Sequence, residues 1–175
     1  MSKSEGSPES NDEFDKKLLR NLRKHLWEGD WRKTIPDRQY TRAWFAQLEL
    51  LEAKRTSKST GKLVFRFPVQ QEYLQQFQNL AGGAQAAFHD ICTAWAMLTI
   101  AKPGFWLMTG RTTNLNVTYH KGAQLGEVLL LECEVVKAGA RLATVRGTLK
   151  REKDGELVST CEQNMYNTDT NSAKL

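Results

Sequence analysis

A glycine pair and a single acid are the residues of this chain whose types and spacing could do chemistry. Gly82 and Gly83 open the apolar stretch AGGAQAAFHDICTAWAM, and Asp90 is its only carboxylate. Burying an ionised carboxylate without partners costs several kcal/mol, so such an acid is normally hydrogen-bonded, protonated or placed at a reactive cavity. Two interpretations follow: Asp90 either serves a reaction or is a structural acid satisfied by a neighbouring hydroxyl or backbone group. Equally, the glycines could form only a tight turn before a helix.

The helix that carries Asp90 is predicted to be surrounded by other structure. Between residues 84 and 100, apolar side chains occupy nearly every side instead of one stripe. A membrane span is not expected, because His89 and Asp90 interrupt the apolar run before it reaches about 20 residues.

Extended segments on both sides of this helix supply the surrounding layer. The Asp154-Gly155 pair between alternating segments is a strong hairpin signal, and such short connections favour antiparallel neighbours. The predicted strands are residues 45–53, 62–69, 106–120, 127–138, 141–152 and 156–167. This order predicts an α+β domain in which an antiparallel sheet curls around one long central helix.

The domain is predicted to span residues 45–167, and the segments outside it differ in composition. Residues 1–11 are rich in Ser, Glu, Gly and Pro and are expected to form a disordered tail. Residues 12–44 are expected to form an accessory helix and linker, with leucines at helical spacing and basic residues on the other faces. That basic face could meet a membrane or a nucleic acid, or it could be the solvated side of a helix packed on the domain. Residues 168–175 are predicted to be a flexible tail.

Charge and cysteine usage exclude several classes of function. The net charge of +5 suits a polyphosphate ligand but is too diffuse to indicate nucleic-acid binding. The three cysteines, Cys92, Cys133 and Cys161, lie in apolar patterns and are expected to be reduced core residues. The scattered histidines show no metal-ligand spacing, so we expect neither a metal nor another cofactor. Neither a Gly-x-Ser-x-Gly motif nor a phosphate-binding P-loop is present.

Taken together, three features resemble the PaaI-like hotdog-fold acyl-CoA thioesterases over roughly residues 45–167. They are the glycine pair, the acid seven positions after it, and the later segments Asn-Val-Thr-Tyr at 116–119 and Leu-Gly-Glu at 125–127. The resemblance implies a hotdog fold and hydrolysis of an acyl-CoA thioester to a free acid and CoA. It also implies a homodimer or homotetramer, with Asp90 reaching a thioester held by the opposite subunit.

The resemblance also implies roles for single residues. Gly82 matches the glycine whose N–H polarises the thioester carbonyl, and Asp90 matches the acid that activates water or attacks the acyl carbon. Thr112 lies where a Ser or Thr orients the water, and Gln75 where an amide helps to hold the carbonyl, with Gln76 an equally good match. Ala81 stands where the family has a histidine. The expected substrate-binding residues are Gly83, His120 and Lys121, the last two for the CoA phosphates.

Two other functions remain open from the sequence. Since Ala81 removes an imidazole from the site, the chain could bind acyl-CoA or an acyl carrier protein as a sensor or scaffold without hydrolysing it. A dehydratase acting on hydroxyacyl thioesters is less favoured, because no histidine is suitably placed. The last residues, Ala173-Lys174-Leu175, resemble the peroxisomal address Ser-Lys-Leu and predict a peroxisomal protein with an import receptor as partner, with the cytoplasm or mitochondria as alternatives.

Overall fold

A six-stranded antiparallel sheet forms most of the molecule. The computed structural model describes residues 11–29 and 40–169. The strands lie in the order β1-β2-β4-β5-β6-β3, and every neighbouring pair is antiparallel. Their bounds are β1 Glu49–Arg55, β2 Gly61–Pro68, β3 Arg111–Tyr119, β4 Val128–Ala138, β5 Leu142–Arg151 and β6 Leu157–Tyr166. This order leaves β1 at one edge of the sheet and β3 at the other.

One long helix lies against the inner face of the sheet. The helices are α1 Asn11–Arg23, α2 Arg42–Gln47 and α3 Gly82–Ala96, and short 3-10 turns occur at Gln71–Tyr73 and Met97–Thr99. Phe88 and Ala96 of α3 are buried in the same core as Leu63, Leu131 and Val145 from three strands. The prediction of an α+β domain with a sheet wrapped around a central helix is therefore confirmed.

Aromatic side chains extend the core at the first half of α3. Trp44 of α2 is fully buried and stacks on Phe88, with ring centroids 4.4 Å apart. Tyr73 and Phe67 each meet Phe88 edge to face. Offset and edge-to-face contacts of this kind are favourable aromatic geometries. They fix α3 in place before the chain reaches Asp90.

Two predicted strand starts are wrong. Phe45 belongs to α2, and the strand predicted at 45–53 begins only at Glu49. The strand predicted at 106–120 begins only at Arg111, because Trp106 and Gly110 both have positive φ. Trp106 is fully buried and its Nε1 donates to the carbonyl of Gly139. The apolar side chains at these positions are buried in the core from a helix and from a loop. Alternation of apolar residues alone does not distinguish such positions from a strand.

Helix α1 packs on the edge strand β1. Its buried side chain Leu22 and the following Leu26 join the core, and Arg23 donates from Nε and Nη2 to the carbonyl of Leu50. Of the two interpretations that the sequence left open, the structure therefore has the one in which the helix packs on the domain. The helix begins at Asn11, one residue inside the predicted tail. None of the described helices is both long and apolar enough to cross a membrane.

The chain termini and one linker lie outside the described residues. The predicted tail at residues 1–10, most of the linker after α1, and the peroxisomal tripeptide at 173–175 therefore stay predictions.

Candidate active site

The first turn of α3 borders a surface cleft of about 530 Å³. Ala81 occupies the N-cap position and offers no side-chain hydrogen bond to the helix. Since the first N–H groups of a helix have no intrahelical acceptor, the N–H of Gly82 has no hydrogen-bond partner among the described residues. The start of α3 thus presents an unused donor and the positive end of the helix dipole beside the cleft. The cleft is lined by Gln75, Phe77, Asn79, Leu80, Gly82, Gln85, Tyr119, His120, Lys121 and Gly122.

Gln75 is the amide that the structure brings to this cleft. Its Oε1 accepts from the N–H of Phe77 at 2.8 Å, and its Nε2 has no partner among the described residues. Gln76 is exposed and does not line the cleft, so the geometry separates two residues that the sequence could not. Gln75 can therefore donate a hydrogen bond to a ligand carbonyl.

Two further cleft residues were missed from the sequence. Tyr119 donates its hydroxyl to the carbonyl of Gly82 at 3.0 Å, and its ring lies where a Cβ on Gly82 would be in contact. The side chain of Gln85 is buried, with 3% of its surface exposed. Its Nε2 donates to the carbonyl of Leu80, and its Oε1 has no partner within the described residues. Tyr119, the aromatic residue that ends β3, is the signal in the sequence that could have indicated a contact with the start of the helix.

The predicted substrate-binding residues lie at the cleft, with one exception. His120 and Lys121 line it on the exposed side, where His120 Nε2 is 3.1 Å from Thr160 Oγ1 and Lys121 forms an ion pair with Glu156. Both are accessible to an anionic ligand. Gly83 is exposed next to the cleft but is not among its lining residues.

Asp90 lies two turns further along α3 in a cluster of hydrogen bonds. It is half-buried, and its Oδ1 accepts from Thr112 Oγ1 at 2.8 Å and from Gln163 Nε2 at 2.6 Å. Its Oδ2 has no hydrogen-bond partner in the described part of the chain. Asp90 is thus held by two donors on one oxygen, while the other oxygen is free to accept a proton.

Gln163 is the member of this cluster that the sequence reasoning missed. It lies on β6, whose inward-facing residues Ser159, Cys161, Gln163 and Met165 are all buried. An amide at an inward-facing strand position requires hydrogen-bond partners. That alternation was visible in the sequence and could have identified Gln163 as a partner for a polar group on the helix.

Neither the neighbouring histidine nor the cysteines can act as the reactive group here. His89 is fully buried, its Nε2 is 2.9 Å from Ser159 Oγ, and burial lowers its pKa to about 4. Burial likewise raises the pKa of the Cys92 thiol, and it raises that of Cys161 to about 12. All three cysteines are free and buried, as predicted. The described residues contain no cluster of His, Cys, Asp and Glu that could hold a metal ion.

The two groups of residues are too far apart to act together within one chain. Eight residues separate Gly82 from Asp90, which corresponds to about 12 Å along an α-helix. A water activated by Asp90 and a carbonyl held by Gly82 must be roughly 3 Å apart to react. We call the Gly82, Gln75 and Tyr119 group the glycine half-site, and the Asp90, Thr112 and Gln163 group the acid half-site.

Comparison with known proteins shows which family the chain is similar to. Residues 77–158 match the model of the thioesterase superfamily. Human acyl-coenzyme A thioesterase 13 is 27% identical over 103 residues, which are 59% of this chain and 71% of that protein.

Two solved structures share the fold. Zebrafish thioesterase superfamily member 2 superposes with a TM-score of 0.68 at 21% identity and covers 85% of this chain and 97% of its own. The Escherichia coli PaaI protein superposes with a TM-score of 0.63 at 11% identity, covering 85% and 96% respectively. The sheet wrapped around α3 is therefore a hotdog fold, and its residues 77–158 are similar to the thioesterase superfamily.

Proposed function

We propose that this protein is an acyl-CoA thioesterase that hydrolyses an acyl-CoA thioester to a free acid and CoA. The observation that carries the proposal is the state of Asp90: one carboxylate oxygen is fixed by Thr112 and Gln163, and the other has no partner among the described residues. The name of the human relative supports CoA as the carrier of the acyl group. Exposed cations at the glycine half-site, His120 when protonated and Lys121, suit the phosphates of CoA.

The reaction follows from the two half-sites. Asp90 Oδ2 removes a proton from a water molecule while the oxygen of that water attacks the thioester carbonyl. The resulting tetrahedral oxyanion accepts hydrogen bonds from the Gly82 N–H and Gln75 Nε2. When the carbon–sulfur bond breaks, the thiolate of CoA takes the proton back from Asp90, and the acyl group leaves as the acid.

Thr112 contributes as an acceptor in this scheme. Its one hydroxyl proton is directed to Asp90 Oδ1, and its oxygen also receives a hydrogen bond from Gln163 Nε2 at 2.9 Å. A lone pair of Thr112 remains to accept a hydrogen bond from the attacking water while Asp90 takes the other proton. Thr112 therefore orients the water without donating to it.

The separation of the half-sites supports a homodimer as the active unit. Strand β3 is an edge strand, pairs only with β6 among the described strands, and exposes most of its residues. Bare edges of this kind are commonly covered in an assembly. A twofold axis near β3 would bring the acid half-site of one protomer to the glycine half-site of its partner, since Thr112 and Tyr119 lie at opposite ends of β3.

One observation favours a second candidate, a protein that binds acyl-CoA without hydrolysing it. Ala81 places no polar side chain at the N-cap of α3, so one hydrogen-bonding group is missing from the glycine half-site. Such a protein would bind the thioester at the same cleft and release no thiol.

Thiol release from a panel of acyl-CoAs tests the proposal. We expect the wild-type protein to hydrolyse at least one of them and Asp90→Asn to lose at least about 100-fold in kcat, because a positioned general base typically contributes that much. Glu162→Gln is the matched control, since this exposed acid on β6 pairs with Arg146 and should leave the rate unchanged. Calorimetric binding of a non-hydrolysable analogue with no thiol release would instead establish the sensor.

A further inference from the structure

The amide of Gln163 is hydrogen-bonded at both ends inside the sheet. Gln163 is fully buried on β6, and its Oε1 lies 2.5 Å from Thr93 Oγ1 of α3. Its Nε2 donates to Asp90 Oδ1 at 2.6 Å and to Thr112 Oγ1 at 2.9 Å. A third, longer contact joins Nε2 to the carbonyl of Asp90 at 3.2 Å. One side chain therefore connects the acid, the water-orienting hydroxyl and the helix.

The acceptors of Asp90 determine which way the amide of Gln163 faces. Thr93 Oγ1 carries one proton and lies within hydrogen-bond distance of two acceptors, Gln163 Oε1 and the carbonyl of His89, so it does not fix the amide alone. Asp90 Oδ1 and the Asp90 carbonyl can only accept, so the amide nitrogen of Gln163 is directed to them. In the reversed orientation, Oε1 would face an ionised carboxylate oxygen at 2.6 Å, and two acceptors would repel each other. The donor end of Gln163 therefore faces the Asp90 carboxylate.

The direction of the Thr112 proton depends on the same amide. Because Nε2 of Gln163 donates to Thr112 Oγ1, the hydroxyl proton is directed toward Asp90 Oδ1. Both donors then occupy the same oxygen of Asp90, and Oδ2 keeps no hydrogen-bond partner among the described residues. Without Gln163, the hydroxyl could rotate and either carboxylate oxygen could accept from it.

We propose that Gln163 is a positioning residue for hydrolysis: it fixes the Asp90 carboxylate and the Thr112 hydroxyl so that Oδ2 of Asp90 is the base. This inference rests on the proposed function and assigns a role to a residue that touches neither water nor thioester. Gln163 acts through Asp90 and Thr112, and Thr93 acts through Gln163.

The test compares Gln163→Met with the wild-type protein in thiol-release kinetics. Methionine keeps the length of the side chain but offers no N–H donor, and loss of correct positioning can reduce the rate by about 100-fold. We expect kcat to fall between roughly 10- and 100-fold while KM stays within about twofold, because Gln163 does not touch the substrate.

Two further variants keep the proposal falsifiable. Thr93→Val leaves Gln163 and Asp90 in place but removes the hydroxyl that can donate to the amide oxygen of Gln163, so we expect a smaller fall in kcat with the same unchanged KM. Asn164→Leu is the matched control: the next residue of β6 loses an amide that bonds Thr144 on the other face of the sheet, and its kcat should equal that of the wild type.

The outcomes separate this inference from the proposed function. A wild-type protein without thiol release overturns both. If the wild type is active and Asp90→Asn is inactive, but Gln163→Met retains the wild-type kcat, then the hydrolase proposal stands and the role of Gln163 is wrong. A fall in kcat that Asn164→Leu shares equally would reveal a general effect on β6 and would also overturn that role.

Discussion

His89 and Asp90 are neighbours on α3 and have opposite environments. An α-helix turns by about 100° per residue, so adjacent side chains face different surroundings. Asp90 meets Thr112 and the open side of the sheet, whereas His89 enters the core and pairs with Ser159. Gly147 of β5 makes room for the imidazole, because a Cβ there would overlap His89 Nδ1. The buried histidine is therefore a structural group, and its protonation affects the stability of the fold.

Protonation of His89 should destabilise the fold in mildly acidic solution. Burial lowers the pKa of His89 to about 4, below its ordinary value of 6.5, so the unfolded chain binds the proton more readily than the folded one. Stability is then unaffected above about pH 6.5 and falls as the pH drops from 6.5 towards 4. Between pH 7.5 and pH 5, this single group should reduce the free energy of unfolding by about 2 kcal/mol.

Urea denaturation at these two pH values measures the effect. In His89→Gln, which cannot take up the proton, the difference between the two pH values should shrink by about the same 2 kcal/mol. His25→Gln, at an exposed histidine beyond α1, is the control and should show the wild-type difference. An identical loss of stability in the wild type and His89→Gln would contradict the prediction.

Among the elements, α1 protects one edge of the sheet. Backbone carbonyls of β1 and of the residue before it accept from side chains of the N-terminal segment. Arg23 bonds the carbonyl of Leu50, and Trp27 Nε1 bonds that of Leu48 at 2.9 Å. The N–H of Arg55 is 3.4 Å from Asp15 Oδ1. Covered edges do not template pairing with another sheet. This leaves β3 as the edge available to a second copy.

Removal of the Arg23 side chain should loosen α1 from β1. Arg23→Ala deletes two charge-assisted hydrogen bonds to one carbonyl, each of a type that contributes about 1.5 to 3 kcal/mol at most, so we expect a loss of about 1 to 2 kcal/mol at this exposed position. Thermal unfolding followed by circular dichroism measures it. Arg20→Ala, on the exposed side of the same helix, should change stability by less than about 0.5 kcal/mol. Equal effects of the two variants would show that α1 does not depend on these bonds.

The sequence predicts the elements better than it predicts the contacts among them. Alternation and the Asp154-Gly155 turn identify the last three strands to within one or two residues, because inward-facing and outward-facing positions alternate regularly along them. The sequence places Phe45 and Trp106 in strands, because an apolar aromatic residue fits a strand, a short helix or a buried loop equally well. At the candidate site, Gly82 and Asp90 stand out within one segment, whereas Gln163 lies 73 residues from Asp90 and joins it only through the fold.

At the scale of the whole molecule, the distance between the half-sites supports the proposed dimer. The glycine half-site and the acid half-site are about 12 Å apart on one helix, so neither can complete a reaction with its own partner group. A twofold dimer contains two copies of each half-site and can form two complete sites, each from both chains. A single protomer would bind the thioester carbonyl with no base within reach.

Mixing two inactive variants should restore activity if sites are shared between chains. Asp90→Asn damages the acid half-site and Gln75→Leu the glycine half-site, so a heterodimer of the two has one doubly damaged site and one intact site. After unfolding and refolding an equal mixture, half of the dimers are mixed and half of their sites are intact, which gives about a quarter of the wild-type kcat per chain. Asp90→Asn mixed with Asp90→Ala is the control: both changes lie in the acid half-site, so every site keeps a defect and the rate should stay at that of the unmixed variants. No recovery in the test mixture would mean that each chain builds its site alone, and the proposal of shared sites would be wrong.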